Sequence, residues 1–371
     1  MNFDLTDEQQ VVTDLAGQLF TDLAAPERVK AVTEADGFDA DLWSALADAG
    51  LLALCIPEAA GGSGFGMVEL ALVAQQQGRH VAPVPFVAHV LATRTIAEEL
   101  GSVPTAAAVI EGAIAGEMVV TSAIAEIGVN DPLNPTVVAT ATPDGVRLSG
   151  EKPAVAALDR AGMVLVPAMQ DGAAVIALVD TSAEGVSVTP LRTTNHEPQG
   201  HLELESVLVP DELVIRDTEA LDRLWLRHLA ALAAVQLGVG EGAVTQAAQH
   251  VSERKQFGRT LSSFQAVSQR AADGWIVNEA LWSTVINAAW QLDNDGAGAM
   301  TDVLSAAYWA CEGTSEVVLG AQHLHAGIGA DVDYPVHRQF LWGMQNSTIL
   351  GTASSHLARL GAHLAAEPAA R

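Results

Sequence analysis

Glu253-Arg254-Lys255-Gln256-Phe257-Gly258-Arg259, followed at once by Ser263-Phe264-Gln265-Ala266-Val267, is the stretch from which the rest of the chain is best read. It closes one long helical pattern, opens another, and leaves an arginine at the junction. A guanidinium there can fork onto a diphosphate. Gly258, lacking a Cβ, lets another group approach the backbone. Alone, the Arg-x-x-Phe-Gly pattern admits a second reading, an arginine that merely caps a helix C-terminus.

Working outward, Leu221, Leu224, Trp225, His228, Leu232, Val235 and Val239 recur at spacings of three and four, which predicts a helix with a buried face. Further helices are expected over 263–293, 300–325 and 335–363, making 217–371 a four-helix bundle domain. Residues 1–118 also read as helical. Thr6 offers an N-cap with Gln9 at the third helical position, and Leu42, Leu46 and Leu51 recur at roughly helical spacing. The run Pro57-Glu58-Ala59-Ala60-Gly61-Gly62-Ser63-Gly64 breaks that region. It is either a loop built for close approach of a ligand or another backbone, or an ordinary interhelical loop.

Between these helical parts, 119–216 carries short β-prone runs such as Met163-Val164-Leu165-Val166. Pro143-Asp144-Gly145 and Gln170-Asp171-Gly172 sit between such runs as tight turns. The expected fold is mainly α with a central β domain: an N-terminal helical domain, a small antiparallel β-barrel and a C-terminal four-helix bundle.

Bulk properties narrow the function classes. The chain has 371 residues, 49% hydrophobic, with a mean hydropathy of +0.25, consistent with well-filled cores and an oligomer. Its 18 Lys and Arg against 45 Asp and Glu give a net charge of −27, which disfavours nucleic-acid and membrane-surface binding. Each arginine in a candidate anion site is therefore informative. Cys55 and Cys311, far apart, suggest neither a disulfide framework nor a metal cluster, and point to the cytoplasm. No metal-ligand spacing appears among the 11 histidines. The acidic N-terminus lacks a signal-peptide pattern, and no apolar run is long enough to span a membrane.

The junction gains meaning from a second motif, His325-Ala326-Gly327-Ile328-Gly329, and its continuation Asp333-Tyr334-Pro335-Val336-His337-Arg338. Together they resemble the acyl-CoA dehydrogenase family over nearly the whole chain. The resemblance implies FAD, with Arg254, Gln256, Phe257 and Gln265 on the surface that meets a flavin held mainly by a neighbouring subunit. It implies that Gly327 and Gly329 admit the ADP half, with His323 where relatives commonly carry glutamine. Ala326 replaces the first glycine of that turn.

Other features depart from the family. These enzymes remove an α-proton from an acyl thioester while hydride leaves the β-carbon for the flavin, and the usual proton acceptor is a glutamate before a Gly-Thr pair. Gly351-Thr352 is kept, but the glutamate's place is Leu350, which cannot accept a proton. Glu312-Gly313-Thr314-Ser315 mimics that signature but precedes the glycine turn, and is expected as helix surface. A second subset of the family carries its base on the first helix of the C-terminal domain, where this chain has His228, either an unusual base or a hydrogen-bonded core histidine. In the stretches that resemble the flavin-ring cradle, Val120–Glu126 and Gly150–Ala156, the tryptophan position is Ala154 and the threonine position Ala156.

A surface for a neighbour's FAD is thus kept while the chain's own cradle and base are altered. This resembles the partner subunits, lacking the base, of actinobacterial heterotetrameric steroid side-chain acyl-CoA dehydrogenases. That resemblance implies an α2β2 assembly with a paralogous subunit, a bulky acyl-CoA substrate and electron-transfer flavoprotein as acceptor. The alternatives are a catalytically silent scaffold and a self-sufficient homo-oligomeric flavoenzyme using His228.

Overall fold

The computed structural model describes residues 3–126, 131–294, 296, 298–349 and 351–366. Six helices come first: α1 (Asp7–Leu23), α2 (Pro26–Ala35), α3 (Ala40–Asp48), α4 (Met67–His80), α5 (Phe86–Leu100) and α6 (Pro104–Ile114). Eight strands follow: β1 (Val119–Ser122), β2 (Val138–Thr142), β3 (Gly145–Ala156), β4 (Ala161–Gln170), β5 (Ala173–Asp180), β6 (Val186–Arg192), β7 (Pro198–Pro210) and β8 (Val214–Ile215). Then come α7 (Ala220–Glu253), a hairpin of β9 (Lys255–Gln256) and β10 (Arg259–Thr260), α8 (Gln265–Asp293), α9 (Ala299–His325), α10 (Val336–Asn346) and α11 (Ala353–Ala366). The chain separates into two compact units, one of Met1–Ala31, Met67–Ala82 and Leu229–Arg371, the other of Val32–Gly66 and Pro83–His228.

In the first unit, helices pack through local sequence devices. Thr6 opens α1 with a capping box: its hydroxyl accepts from the Gln9 amide at 3.2 Å, and the Gln9 side chain accepts from the Thr6 amide at 3.0 Å. Helices α4 and α7 meet backbone to backbone. A Cβ on Gly78 would lie 2.0 Å from the Val235 carbonyl, and one on Gly238 would lie 1.9 Å from that of Gln75. All seven stripe residues of α7 are buried except Leu232, which is half-buried.

Where one helix is expected over 335–363, there are two. Gly351 at φ 124 is incompatible with a helix, and Thr352 starts α11 by exchanging hydrogen bonds with Ser355. A capping residue inside an apolar period is the signal that helical periodicity alone overrides.

In the second unit, the run from Pro57 folds onto its own chain. Ser63 donates to the Ala53 carbonyl at 3.0 Å and Gly64 to that of Ile56 at 2.9 Å. A Cβ on Gly62 would fall 2.1 Å from the Ile56 oxygen. The close approach expected from its glycines is therefore by backbone. The sheet runs β6-β7-β3-β2-β4-β5-β8, with β1 on β4. Both expected turns form; at the β4–β5 turn, Asp171 (φ 50) and Gly172 (φ 86) give the left-handed pair that suits a two-residue hairpin.

The sheet is nevertheless mixed, not purely antiparallel, because β1 and β2 both run parallel to β4. Turn residues announce hairpins, whereas parallel pairing joins distant strands and leaves no local mark. Among the described residues, no helix is long and apolar enough to cross a membrane.

Candidate functional site

The junction after α7 is a β-hairpin where a plain turn between helices is expected. The Arg254 amide still closes onto the His250 carbonyl at 2.9 Å, and the Arg254 carbonyl then accepts from Leu261 at 2.9 Å. Gln256 pairs with Arg259 and Lys255 with Thr260. Phe257 (φ 53) and Gly258 (φ 79) form the two-residue bend, both left-handed. That conformation suits Gly258 but strains Phe257 by about 1–2 kcal/mol.

The strained phenylalanine is 92% exposed. Its ring stands edge-on to Phe264 at 6.3 Å, and the Arg259 guanidinium lies 3.9 Å over that same Phe264 ring. An aromatic is thus held out from the surface on a braced support. Arg254 and Gln265 are exposed beside it. The Gln256 amide group donates to its neighbour's carbonyl at 2.8 Å. Among the described residues, no carboxylate lies within ion-pair distance of Arg254.

The glycine turn that ends α9 packs against the end of α7. His325 is buried, its Nδ1 2.8 Å from the Ala321 carbonyl, and its ring stacks on His250 at 4.5 Å and meets Tyr334 edge-on at 5.3 Å. Burial holds both histidines below the usual imidazole pKa, with Arg254 adding to the effect on His250. The stack was not legible beforehand: His250, one helical turn before Arg254, carries no motif of its own. A groove of about 480 Å³ passes His250, Glu253, Arg254 and Tyr334.

Within the turn, the two expected glycines differ. Gly329 is required by packing, since a Cβ there would lie 2.5 Å from the Gln322 carbonyl, whereas at Gly327 it would meet nothing within 4 Å. Ala326 adopts φ 53, ψ −138, a conformation that suits glycine and strains alanine. His323 is exposed near the end of α9. Thr352 is engaged as the cap of α11. Leu350 lies outside the described residues. Glu312 is exposed on α9 as expected, while Thr314 is fully buried and donates to the Gln236 carbonyl at 3.2 Å.

The other candidate region lies at the end of β1. Thr121 donates to the Ala156 carbonyl at 2.8 Å. Lys152 and Glu126 form an ion pair with both side chains fully buried, and burial holds the Lys152 pKa below its usual value although Glu126 opposes the shift. Ala154 (φ 49) and Ala157 (φ 48) bend β3 and its exit in the left-handed region.

His228 is buried with both nitrogens engaged. Nδ1 lies 2.9 Å from the Leu224 carbonyl and Nε2 lies 3.1 Å from Ser122 Oγ. A carbonyl can only accept, so Nδ1 carries the hydrogen, and in the neutral ring Nε2 accepts from the serine. Burial lowers its pKa to about 4, so the ring is neutral at physiological pH. Ser122 is the partner that helical periodicity could not supply, because it sits on a strand 106 residues away.

The chain as a whole is similar to known proteins. Residues 6–117 match the family model described as acyl-CoA dehydrogenase, N-terminal domain, and 227–365 the one described as acyl-CoA dehydrogenase, C-terminal domain. Acyl-CoA dehydrogenase FadE27 of Mycobacterium tuberculosis is 35% identical, covering 100% of both chains. The crystal structure of the ChsE4-ChsE5 complex from the same organism superposes with a TM-score of 0.94 at 36% identity, covering 100% of both chains. A variant of the Tcur3481-Tcur3483 steroid ACAD superposes with a TM-score of 0.90 at 41% identity, covering 97% of this chain and 98% of that one.

Proposed function

Because this chain belongs to the acyl-CoA dehydrogenase family, we propose that it is the supporting subunit of a hetero-oligomeric, FAD-dependent acyl-CoA dehydrogenase. FAD is the cofactor that membership brings. The proposed partner is a paralogous subunit in an α2β2 assembly that carries the catalytic base and the flavin-ring cradle. This chain would contribute Arg254, Gln256, Phe257 and Gln265 to the partner's cofactor, and His323, Gly327, Gly329 and Thr352 are proposed as further contacts. Its N-terminal helical part (1–118), β part (119–216) and C-terminal helical part (217–371) would serve as the family's three domains. Two of the complexes that it superposes on carry two subunit names each, and one is named a steroid ACAD. That supports a bulky, steroid-like acyl-CoA as substrate. Electron-transfer flavoprotein is the proposed acceptor, and the cytoplasm the proposed site of action.

One contrast carries this reading. Arg254 is exposed without an ion-pair partner among the described residues, whereas Thr121, Glu126 and Lys152 are all engaged within this chain. The diphosphate end of FAD fits what this chain offers, and the ring end does not. When bound, FAD accepts the hydride lost from the substrate's β-carbon. The α-proton would go to a carboxylate of the partner. This chain's residues would bind and orient, and Arg254 would neutralise diphosphate charge. His228, neutral and accepting from Ser122, is proposed to position that serine at the end of β1.

Flavin content per chain tests the reading. The chain expressed alone should hold little flavin, and the chain expressed with its paralogue about one FAD per pair. One FAD per chain in isolation would overturn the split site and favour the homo-oligomer, with His228→Ala as its next test. No flavin in either preparation would favour the silent scaffold.

A further inference from the structure

Strands β3 and β7 pair antiparallel, and their register sets Glu151 directly opposite Glu203. Like charges placed so across a ladder repel. Among the described residues, no lysine or arginine lies within ion-pair distance of either carboxylate. Lys152, the next residue along β3, cannot serve, because successive side chains alternate faces and its ammonium is buried against Glu126. The group that meets both carboxylates is a histidine. His201 lies two residues before Glu203 on β7 and so on the same face. Its Nε2 is 3.1 Å from Glu151 Oε2 and 3.7 Å from Glu203 Oε1.

One ligand atom from each of these three residues lies within 4.8 Å of the other two. Around a tetrahedral Zn²⁺, nitrogen and oxygen ligands at about 2.0–2.2 Å stand roughly 3.4 Å apart. The two separations from Nε2 bracket that value. With its ring hydrogen on Nδ1, His201 offers the Nε2 lone pair toward the same point as the carboxylates. Both glutamates are exposed and the ring is half-buried, so a cation can reach them and water can complete its coordination. An imidazole in the set suits zinc rather than magnesium or calcium, which prefer oxygen ligands. Glu151 and His201 are 50 positions apart, so no ligand spacing in the sequence announces the set.

We propose that Glu151, His201 and Glu203 form a zinc site that clamps β3 to β7. The ladder shifts register between Leu148 and Gly150 and again between Lys152 and Val155. That leaves residues 150–152 as a short regular stretch between two irregularities. A cation at Glu151 fixes the register of that stretch and removes the repulsion across it. The site uses none of the residues proposed to contact FAD, and it stands independently of the split-flavin reading.

The test is isothermal titration calorimetry with Zn²⁺ on the full chain, alone and in its complex with the paralogue. One zinc should bind at this site in each copy of the chain, and Mg²⁺ should not compete for it. His201→Ala should weaken binding by more than the roughly 10- to 100-fold that loss of an outer-shell partner costs. Glu203→Gln, nearly the same shape but uncharged, should weaken it as well. Glu203→Lys should abolish it and should also raise the denaturant midpoint of the metal-free chain, since opposite charges then face each other across the ladder. Zinc should raise that midpoint in the wild type and leave it unchanged in His201→Ala. His196→Asn, which removes another exposed imidazole, should keep full affinity. Zinc affinity unchanged in His201→Ala, equal weakening in His196→Asn, or displacement of zinc by an equal concentration of Mg²⁺ would each overturn the proposal. Because Glu203 is exposed, its variants test the site even if His201→Ala does not fold.

Discussion

The hairpin after α7 and the end of β1 are both regions where this family's relatives would be expected to meet a flavin, and they treat their polar groups in opposite ways. At the hairpin, Arg254 and Gln265 are exposed, and Phe257 is held outward at the cost of a left-handed backbone. At the end of β1, the hydroxyl of Thr121, the ammonium of Lys152, the carboxylate of Glu126 and both nitrogens of His228 are all engaged inside the unit. A group that is already desolvated and paired gains little by turning to a ligand, whereas an exposed, preorganised one gains the whole interaction. On the proposed reading the two regions have different roles, recognition at the hairpin and self-support at the end of β1.

The largest expected effect tests the self-supporting end. Glu126→Gln would leave Lys152 charged and buried without its partner, and stability should fall by about 3–5 kcal/mol. Denaturant titration reads this directly, and Glu126→Gln combined with Lys152→Met should restore most of the loss. If Glu126→Gln is as stable as the wild type, that pair is not holding the strand ends, and the contrast with the hairpin fails.

The next effect concerns pH. His228 has a folded pKa of about 4 against an ordinary value of 6.5, so between those values the unfolded chain binds the proton and the native one does not. Its contribution is fully present above pH 6.5 and is lost as pH falls toward 4, by roughly 3 kcal/mol at about 1.4 kcal/mol per pH unit. His89 and His356 are shifted to about 4 as well and act in the same window. Stability measured from pH 7 to pH 4 should therefore fall less steeply in His228→Gln than in the wild type, by about 1.4 kcal/mol per pH unit, while Glu197, whose pKa burial raises to about 7, opposes the histidines in both. An unchanged slope would mean that His228 is not buried neutral, and would revive it as a base.

At the recognising end, Arg254→Ala should leave the chain's own stability within about 0.5 kcal/mol, since the residue is exposed and unpaired among the described residues. Flavin affinity of the assembled complex should fall by about 1.5–3 kcal/mol, or roughly ten- to a hundredfold. Equilibrium dialysis of the co-expressed complex separates the two quantities. Loss of stability with unchanged flavin would invert the assignment.

Much of this contrast was legible in the residues. Arg254, Phe257-Gly258 and the turn after His325 announced themselves because short-range chemistry fixes them: a cation, a bend, a glycine. The order of helical and β parts followed from periodicity, and the Thr6 cap from its local pattern. What stayed hidden were pairings across distance. Ser122 with His228, His250 with His325, and β1 with β4 join segments that no local pattern relates. His228 shows the ambiguity best: an imidazole on an apolar stripe fits both a base and a core residue, and only its two hydrogen bonds separate them. The break before α11 is hidden for a different reason. The apolar period continues through 347–352, while Gly351 and the Thr352 cap determine the backbone there.

The smallest effect is the most local. Ala326 departs from the glycine expected at its place in the turn, yet its backbone has φ 53 and ψ −138, values that suit glycine. Such a conformation costs a residue with a Cβ about 1–3 kcal/mol, while glycine would lose about 0.5–1 kcal/mol through the greater freedom of the unfolded chain. Ala326→Gly should thus stabilise by about 1 kcal/mol, seen as a higher denaturant midpoint at unchanged slope. Because Ala326 is exposed, its methyl has little packing to lose. If the variant is instead less stable, the methyl makes a contact worth more than the strain. If it is more stable and flavin affinity of the complex is unchanged, the turn belongs with the self-supporting end, held in shape by Gly329 and His325, and recognition narrows to the hairpin alone.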